Sequence, residues 1–320
     1  MIDTAHHSPF MLSAAQKAQL DAWRAKFAEL PSVEIVTLFP LPSTLEGLLT
    51  QLNELEKCVS SFRPFSAGHM RVLQEQFDTE YTYESNRIEG NTLSYQETDL
   101  VVNQGMTIGG KPLKDHLEAI NHQQAIAQIR TLVSKEVPFT GRELLSIHSL
   151  ILRGIDQDNA GMYRSVRVRI KGSDHVFPNP VKVPELMNDY FAFYDLEKDR
   201  LHPVLLASFM HAKLVKIHPF IDGNGRTARL IMNLMLMRAG YPITIIASEN
   251  TSRLTYYGAL EAFDHDENSV AFHHFVATNV RRWCLTYLEQ FASDIAENRR
   301  ETGYYFFKTI SPFLDLKRHP

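Results

Sequence analysis

The stretch His218-Pro219-Phe220-Ile221-Asp222-Gly223-Asn224-Gly225-Arg226-Thr227-Ala228-Arg229 constrains this chain more than any other. An imidazole, a carboxylate, two glycines around an asparagine and two arginines stand together, and Leu230 to Met237 then run apolar on nearly every side. Such a run predicts a helix buried in the middle of a domain. The polar loop before it must therefore be held by the core. Gly223 and Gly225 let the backbone approach a ligand closely, and a helix starting near Arg226 turns its unpaired N–H groups to the same place. Arg226 and Arg229 add forked donors that match phosphate better than lysine does. His218 has the chemistry of a general base near neutral pH, and Asp222 offers a hard oxygen suited to Mg²⁺ with phosphates completing the shell. Singly, each residue has an ordinary explanation: a structural histidine, an Asn-Gly turn, solvated arginines. Their conjunction points to an anion site. A zinc hydrolase built from His211, His218 and Asp222 is disfavoured, because no two histidines stand one helical turn apart as in HExxH, and no GxxxxGK[ST] loop is found in this stretch.

The rest of the chain reads as helical. At 320 residues it can form one large or two ordinary domains, and a net charge of −4 gives no reason to propose nucleic-acid binding. Cys58 and Cys284 are too few for a disulfide framework, so a reducing compartment and buried thiols are expected. The first residues do not read as a signal peptide and no window reaches the length of a membrane span, so the cytoplasm is the expected location, with no membrane partner.

Helical spacing predicts helices over 11–30, 43–62 with Ser43 to Glu46 as a capping box, from near Ser66 through Phe77, 94–105, 113–133 carrying His116 and His122, 142–153 capped by Thr140, 183–196, 203–217, 226–239, 252–264 and 270–298. Val166, Val168 and Ile170 alternate with charged residues, and Lys171 to Asp174 supplies a turn, which predicts a lone hairpin returning through His175 to Phe177. A lone hairpin must pack on something. Glu84 to Asn91 ends in a Gly-Asn turn signal and aligns Ser85 with Glu89 on one helical face. Tyr304 to Phe307 make the tail too aromatic for a solvated end.

The motif HPFIDGNGRTAR resembles, position by position, the HPFx[D/E]GNGRxxR motif of Fic-domain proteins, and the likeness extends to Gly161, Tyr163 and Arg164, to His202-Pro203, and to Arg253 with Tyr256 and Tyr257. The resemblance implies an all-α fold, a helical bundle with a small β-hairpin flap and an N-terminal helical extension. On it the chain divides into an extension over 1–65, an inhibitory-helix region over 66–105, a core over 106–300 and a tail over 301–320. It implies AMP transfer from ATP to a Ser, Thr or Tyr hydroxyl of a protein, with His218 as base, Asp222 holding Mg²⁺, and Gly223, Asn224, Gly225, Arg226 and Arg229 on the phosphates. Tyr256 and Tyr257 would lie near the adenine, and Ile170, Lys171 and Gly172 would pin the target as an added strand. Ser85-Asn86-Arg87-Ile88-Glu89-Gly90-Asn91 is similar to the [S/T]xxxE[G/N] inhibitory motif of class II members. Glu89 would then pair with Arg229 and Ser85 would brace the segment, with Gly90 and Asn91 closing it. Relatives of that class often dimerise, so a homodimer is an expected assembly. The alternatives are removal of AMP from a modified protein through Glu89, or a regulatory module that only senses ATP.

Overall fold

The computed structural model describes residues 41–61, 67–169, 176–267 and 269–296. The predicted first helix and the aromatic tail lie outside the described residues. So do Ile170, Lys171 and Gly172. The chain forms two compact units, and all that follows concerns the larger, Pro42–Thr286. The other comprises Met1–Leu41 and Tyr287–Pro320.

Among the described residues there are ten α-helices and no strand: α1 Leu45–Ser61, α2 Ala67–Ile88, α3 Tyr95–Gln104, α4 Leu113–Ser134, α5 Gly141–Leu152, α6 Val183–Glu197, α7 Pro203–Ile217, α8 Asn224–Arg238, α9 Asn250–His265 and α10 Val270–Ala296. The all-α expectation holds. The hairpin is not seen: residues 165–169 and 176–179 run as irregular backbone. One reason lies in Arg164, whose guanidinium takes the Val166 carbonyl at 3.0 Å and the Pro178 carbonyl at 2.7 Å. A side chain that captures backbone groups competes with a strand ladder for them.

Local chemistry sets the helix ends. Thr44, rather than the expected box from Ser43, caps α1 by accepting from the Gly47 N–H at 3.1 Å. Ser94 with Glu97 and Thr140 with Glu143 form reciprocal boxes at α3 and α5. Pro203 occupies the first turn of α7, where its missing N–H costs nothing. The two segments read as separate around Phe77 and Ser85 are one helix, α2, which stops at Ile88 because Gly90 turns left-handed.

α8 is the hub, packing on α7, α4, α5 and α2. Leu230, Ile231, Met232, Leu234 and Leu236 are fully buried on it. Each such side chain stabilises by on the order of 1.5–3 kcal/mol, and truncating one to Ala costs about 2–5 kcal/mol. α1, placed in the extension from sequence, belongs to the same compact unit: Leu48, Leu52, Leu55 and Val59 are fully buried. The hub fixes the start of α8, and with it the polar loop.

Candidate active site

The loop between α7 and α8 is shaped by its own residues first. His218 ends α7 in the left-handed conformation, φ 50°, where its N–H still reaches the Leu214 carbonyl at 2.9 Å. Its Nδ1 faces the Val215 carbonyl at 3.3 Å, so the proton sits there and Nε2 is the basic nitrogen. The ring stacks on Phe177 at 3.9 Å. Arg164 holds the loop from behind, donating its N–H to the Pro219 carbonyl at 2.8 Å and Nε to the His218 carbonyl at 2.7 Å.

Asn224 closes the turn. Its Oδ1 accepts from the Phe220 N–H at 3.0 Å and its Nδ2 donates to the Phe220 carbonyl at 2.9 Å. Its side chain is therefore a clamp on the loop. Gly223 precedes α8 with φ 78°, and the first N–H groups of the helix, from Asn224 to Arg226, have no intrahelical partner. These amides and the dipole of α8 form the cradle.

The two arginines are both buried but differently engaged. Arg226 donates to Glu118 Oε1 on α4 at 3.0 Å and to Asp222 Oδ1 at 3.1 Å. In this arrangement it orients the carboxylate rather than presenting an open fork to phosphate. Arg229, 1% exposed, donates Nε to Ser85 Oγ at 2.9 Å and Nη2 to the Ser85 carbonyl at 2.8 Å and to Glu89 Oε1 at 2.7 Å. Burial opposes the charge on Arg229, yet Glu89 beside it more than offsets this and raises the guanidinium pKa. A Cβ added at Gly225 would strike the Glu89 carboxylate, so glycine here leaves room for an anion against the helix end. At present that anion is Glu89.

Asp222 is the half-exposed carboxylate of the site, 46% exposed, with Oδ2 at 3.9 Å from Lys114 Nζ. Burial would raise its pKa, but Arg226, the Gly223 N–H and Lys114 outweigh that and keep it ionised. One hard ionised oxygen beside an anion cradle fits Mg²⁺, which takes one or two carboxylates and completes its shell with phosphates and water. Among the described residues no group of three His, Cys, Asp or Glu is gathered as a protein-only metal site would require. His211, weighed as a zinc ligand, hydrogen-bonds the Tyr256 hydroxyl at 2.8 Å through Nε2.

The structure brings Ser85, Glu89, Gly225, Arg229 and the rest of the loop together, and splits the tyrosine pair. Tyr256 is buried, its hydroxyl on His211 and its pKa pushed up by burial to about 12. Tyr257 is the exposed one, and Glu89 and Arg229 both act on it electrostatically. Asn91 closes the upstream segment by donating to Glu118 Oε2 at 2.9 Å and to the Asp115 carbonyl at 3.0 Å.

Sequence reasoning did not single out Glu118, Lys114 or His148. The signal for His148 was a polar residue inside the buried stripe Leu144, Ile147, Ile151 and Leu152 of α5. Glu118 sits in a comparable stripe of α4, with Ala119 and His122. His116 and His122 serve the fold: His116 accepts from the Ile108 N–H at 2.8 Å, and burial, then Arg229 and Arg226, keep His122 neutral.

Comparison with known proteins agrees with this geometry. The Fic/DOC family model matches residues 138–236. The protein adenylyltransferase Fic of Nematostella vectensis is 37% identical over 248 residues, 76% of this chain and 56% of the relative. The chain spans about half the length of the curated relatives it matches. Among solved structures, Fic-1 (residues 134–508) of C. elegans superposes with a TM-score of 0.71 at 29% identity, covering 78% of this chain and 73% of that one. A Fic domain-containing signaling protein of Bacteroides thetaiotaomicron gives 0.67 at 30% identity, over 75% of this chain and 94% of its own. Motif, cradle and relatives agree: this chain belongs to the Fic/DOC family.

Proposed function

We propose that this protein transfers AMP from ATP to a Ser, Thr or Tyr hydroxyl of a protein, and that Glu89 holds it in an inhibited state. The observation that carries the reading is the placing of His218 Nε2 as the basic nitrogen beside a helix N-terminus with Arg229 engaged in the same cradle. The relatives' name, protein adenylyltransferase, supports it.

In the reaction the target hydroxyl oxygen attacks the α-phosphorus as His218 Nε2 takes its proton. The bond from that phosphorus to the α,β-bridging oxygen breaks, and pyrophosphate leaves with the electron pair. The α8 amides and Arg229 neutralise phosphate charge, so positioning and electrostatics carry the rate. Mg²⁺ held by Asp222 would supply further charge neutralisation on the phosphates. Glu89 inhibits because it occupies the room beside Gly225 and pairs with Arg229, where a phosphate would bind. A phosphate and a carboxylate compete there for one guanidinium.

The test is incubation of Glu89→Gly protein with Mg²⁺ and ATP labelled on the α- or the γ-phosphate, together with a target lysate. Protein should take up the α label and not the γ label. Uptake of γ label, or none, would overturn the reading. A second reading is removal of AMP from a modified protein, favoured by the 32% exposure of Glu89, which lets it orient a water. Release of AMP from a modified target by the wild type, lost in Glu89→Gly, would identify it.

A further inference from the structure

His148, on α5, lies under the active-site loop without facing the cradle. Its Nδ1 accepts from the Gly161 N–H at 2.9 Å. A backbone N–H can only donate, so Nδ1 carries no proton, and Nε2, at 2.9 Å from the Asp222 carbonyl, is the N–H. The ring lies flat on Phe220, 3.6 Å away with 7° between planes. A Cβ at Gly223 would come within 3.4 Å of the imidazole and 3.2 Å of Ile151, so loop and ring are in close register. His148 is fully buried, and no carboxylate bonds either nitrogen.

We propose that His148 is a positioning residue for Asp222: as the neutral Nε2–H tautomer it fixes the Asp222 carbonyl, and through it the direction of the metal-binding carboxylate. Three contacts define the Asp222 main chain and side chain together. His148 holds the carbonyl, while the Gly223 N–H at 2.6 Å and Arg226 at 3.1 Å hold Oδ1. Oδ2 is thereby presented at the mouth. Arg226 and the Gly223 amide constrain one carboxylate oxygen, and His148 constrains the backbone carbonyl of the same residue. The inference rests on the reading that Asp222 takes the metal of nucleotide transfer. Residues that orient a metal ligand commonly matter about 10- to 100-fold for metal affinity.

Two substitutions separate the two halves of the imidazole. In His148→Gln the amide NH₂ can occupy the Nε2 position and keep the donor to Asp222. In His148→Asn the amide oxygen can replace Nδ1 toward Gly161 and the donor is lost. Both are made in Glu89→Gly protein, and ATP affinity is measured with Mg²⁺ and again in EDTA. The Mg²⁺-dependent gain in affinity should fall about 10- to 100-fold in His148→Asn and largely survive in His148→Gln, with affinity in EDTA unchanged in both. Equal behaviour of the two variants, or a fall in EDTA as large as with Mg²⁺, would overturn the proposal. If the parent Glu89→Gly shows no transfer while the Mg²⁺ effect follows His148, the functional reading fails and this one stands. Should both variants fail to fold, ¹⁵N shifts of the His148 ring in the wild type decide. The Nε2–H tautomer at neutral pH supports the assignment, and an Nδ1–H ring defeats it.

Discussion

Behind the loop from His218 to Arg229 its partners are buried and bind mainly its backbone: Arg164 on two carbonyls of the loop, His148 on a third, Phe220 clamped by Asn224. In front of it stands a charged partner, Glu89, one-third exposed, on a segment more than a hundred residues upstream. Arg164, His148, Phe220 and Asn224 are all buried, which sets these contacts apart from an exchangeable one. The front contact can exchange, because a phosphate offers Arg229 oxygen acceptors like those of the carboxylate. One loop therefore has a side held by the fold and, on the proposed function, a side open to exchange with a phosphate. Arg226 belongs to the first, since Glu118 and Asp222 already engage it, and Arg229 to the second.

The comparison can be broken or sharpened by substitution. The largest effect should come from His218, which lies between the two sides. His218→Ala is expected to lower transfer by about 10²- to 10⁴-fold in the Glu89→Gly protein, with ATP binding and melting temperature unchanged. A collapse of the melting transition would instead make it part of the rear frame. Next comes Arg226→Met, which takes from the buried Glu118 its arginine partner and leaves it Asn91 at 2.9 Å and the half-exposed Lys114 at 3.7 Å. Denaturant titration should show about 3–5 kcal/mol of lost stability, and a midpoint equal to the wild type's would remove Arg226 from the fixed side.

On the exchangeable side, Glu89→Gly should raise label uptake about a hundredfold, corresponding to about 2.7 kcal/mol in favour of the inhibited state. Its folding stability should stay near that of wild type, and an unchanged rate would show that Glu89 does not regulate. The smallest expected effect is that of Ser85→Ala. It removes the hydrogen bond to Arg229 Nε but leaves the one from Nη2 to the Ser85 carbonyl. A loss of about 1 kcal/mol should weaken inhibition only about fivefold. Activation as strong as Glu89→Gly would mean that Ser85, and not the carboxylate, holds the front side closed.

Much of this was legible in the chain. Thr140, Ser94 and Pro203 after His202 all announced helix starts that the structure contains, because capping depends only on residues within one turn. The apolar run after Arg229 likewise announced a buried helix. Where spacing stopped short, side-chain contacts that a periodic pattern does not encode intervened. Val166 to Ile170 has strand periodicity, but Arg164 takes the Val166 carbonyl for itself. Tyr256 and Tyr257 are neighbours in sequence, yet helix geometry turns one to His211 in the core and the other outward. Asn224 has the right chemistry for an anion donor, and its amide is bound to Phe220 on both atoms.

By itself the sequence determined an all-helical chain with a phosphate-type loop on a buried helix and a carboxylate poised upstream, since composition, spacing and motif are local properties. Only the tertiary structure decided that Arg226 meets Glu118 and Asp222. It also brought His148 to the Asp222 carbonyl and the Glu89 carboxylate against Gly225. Those outcomes depend on how α2, α4 and α5 pack around α8. Packing at atomic contact is set by side chains far apart in the chain, and the ionisation of a buried group follows from neighbours that only the fold assembles.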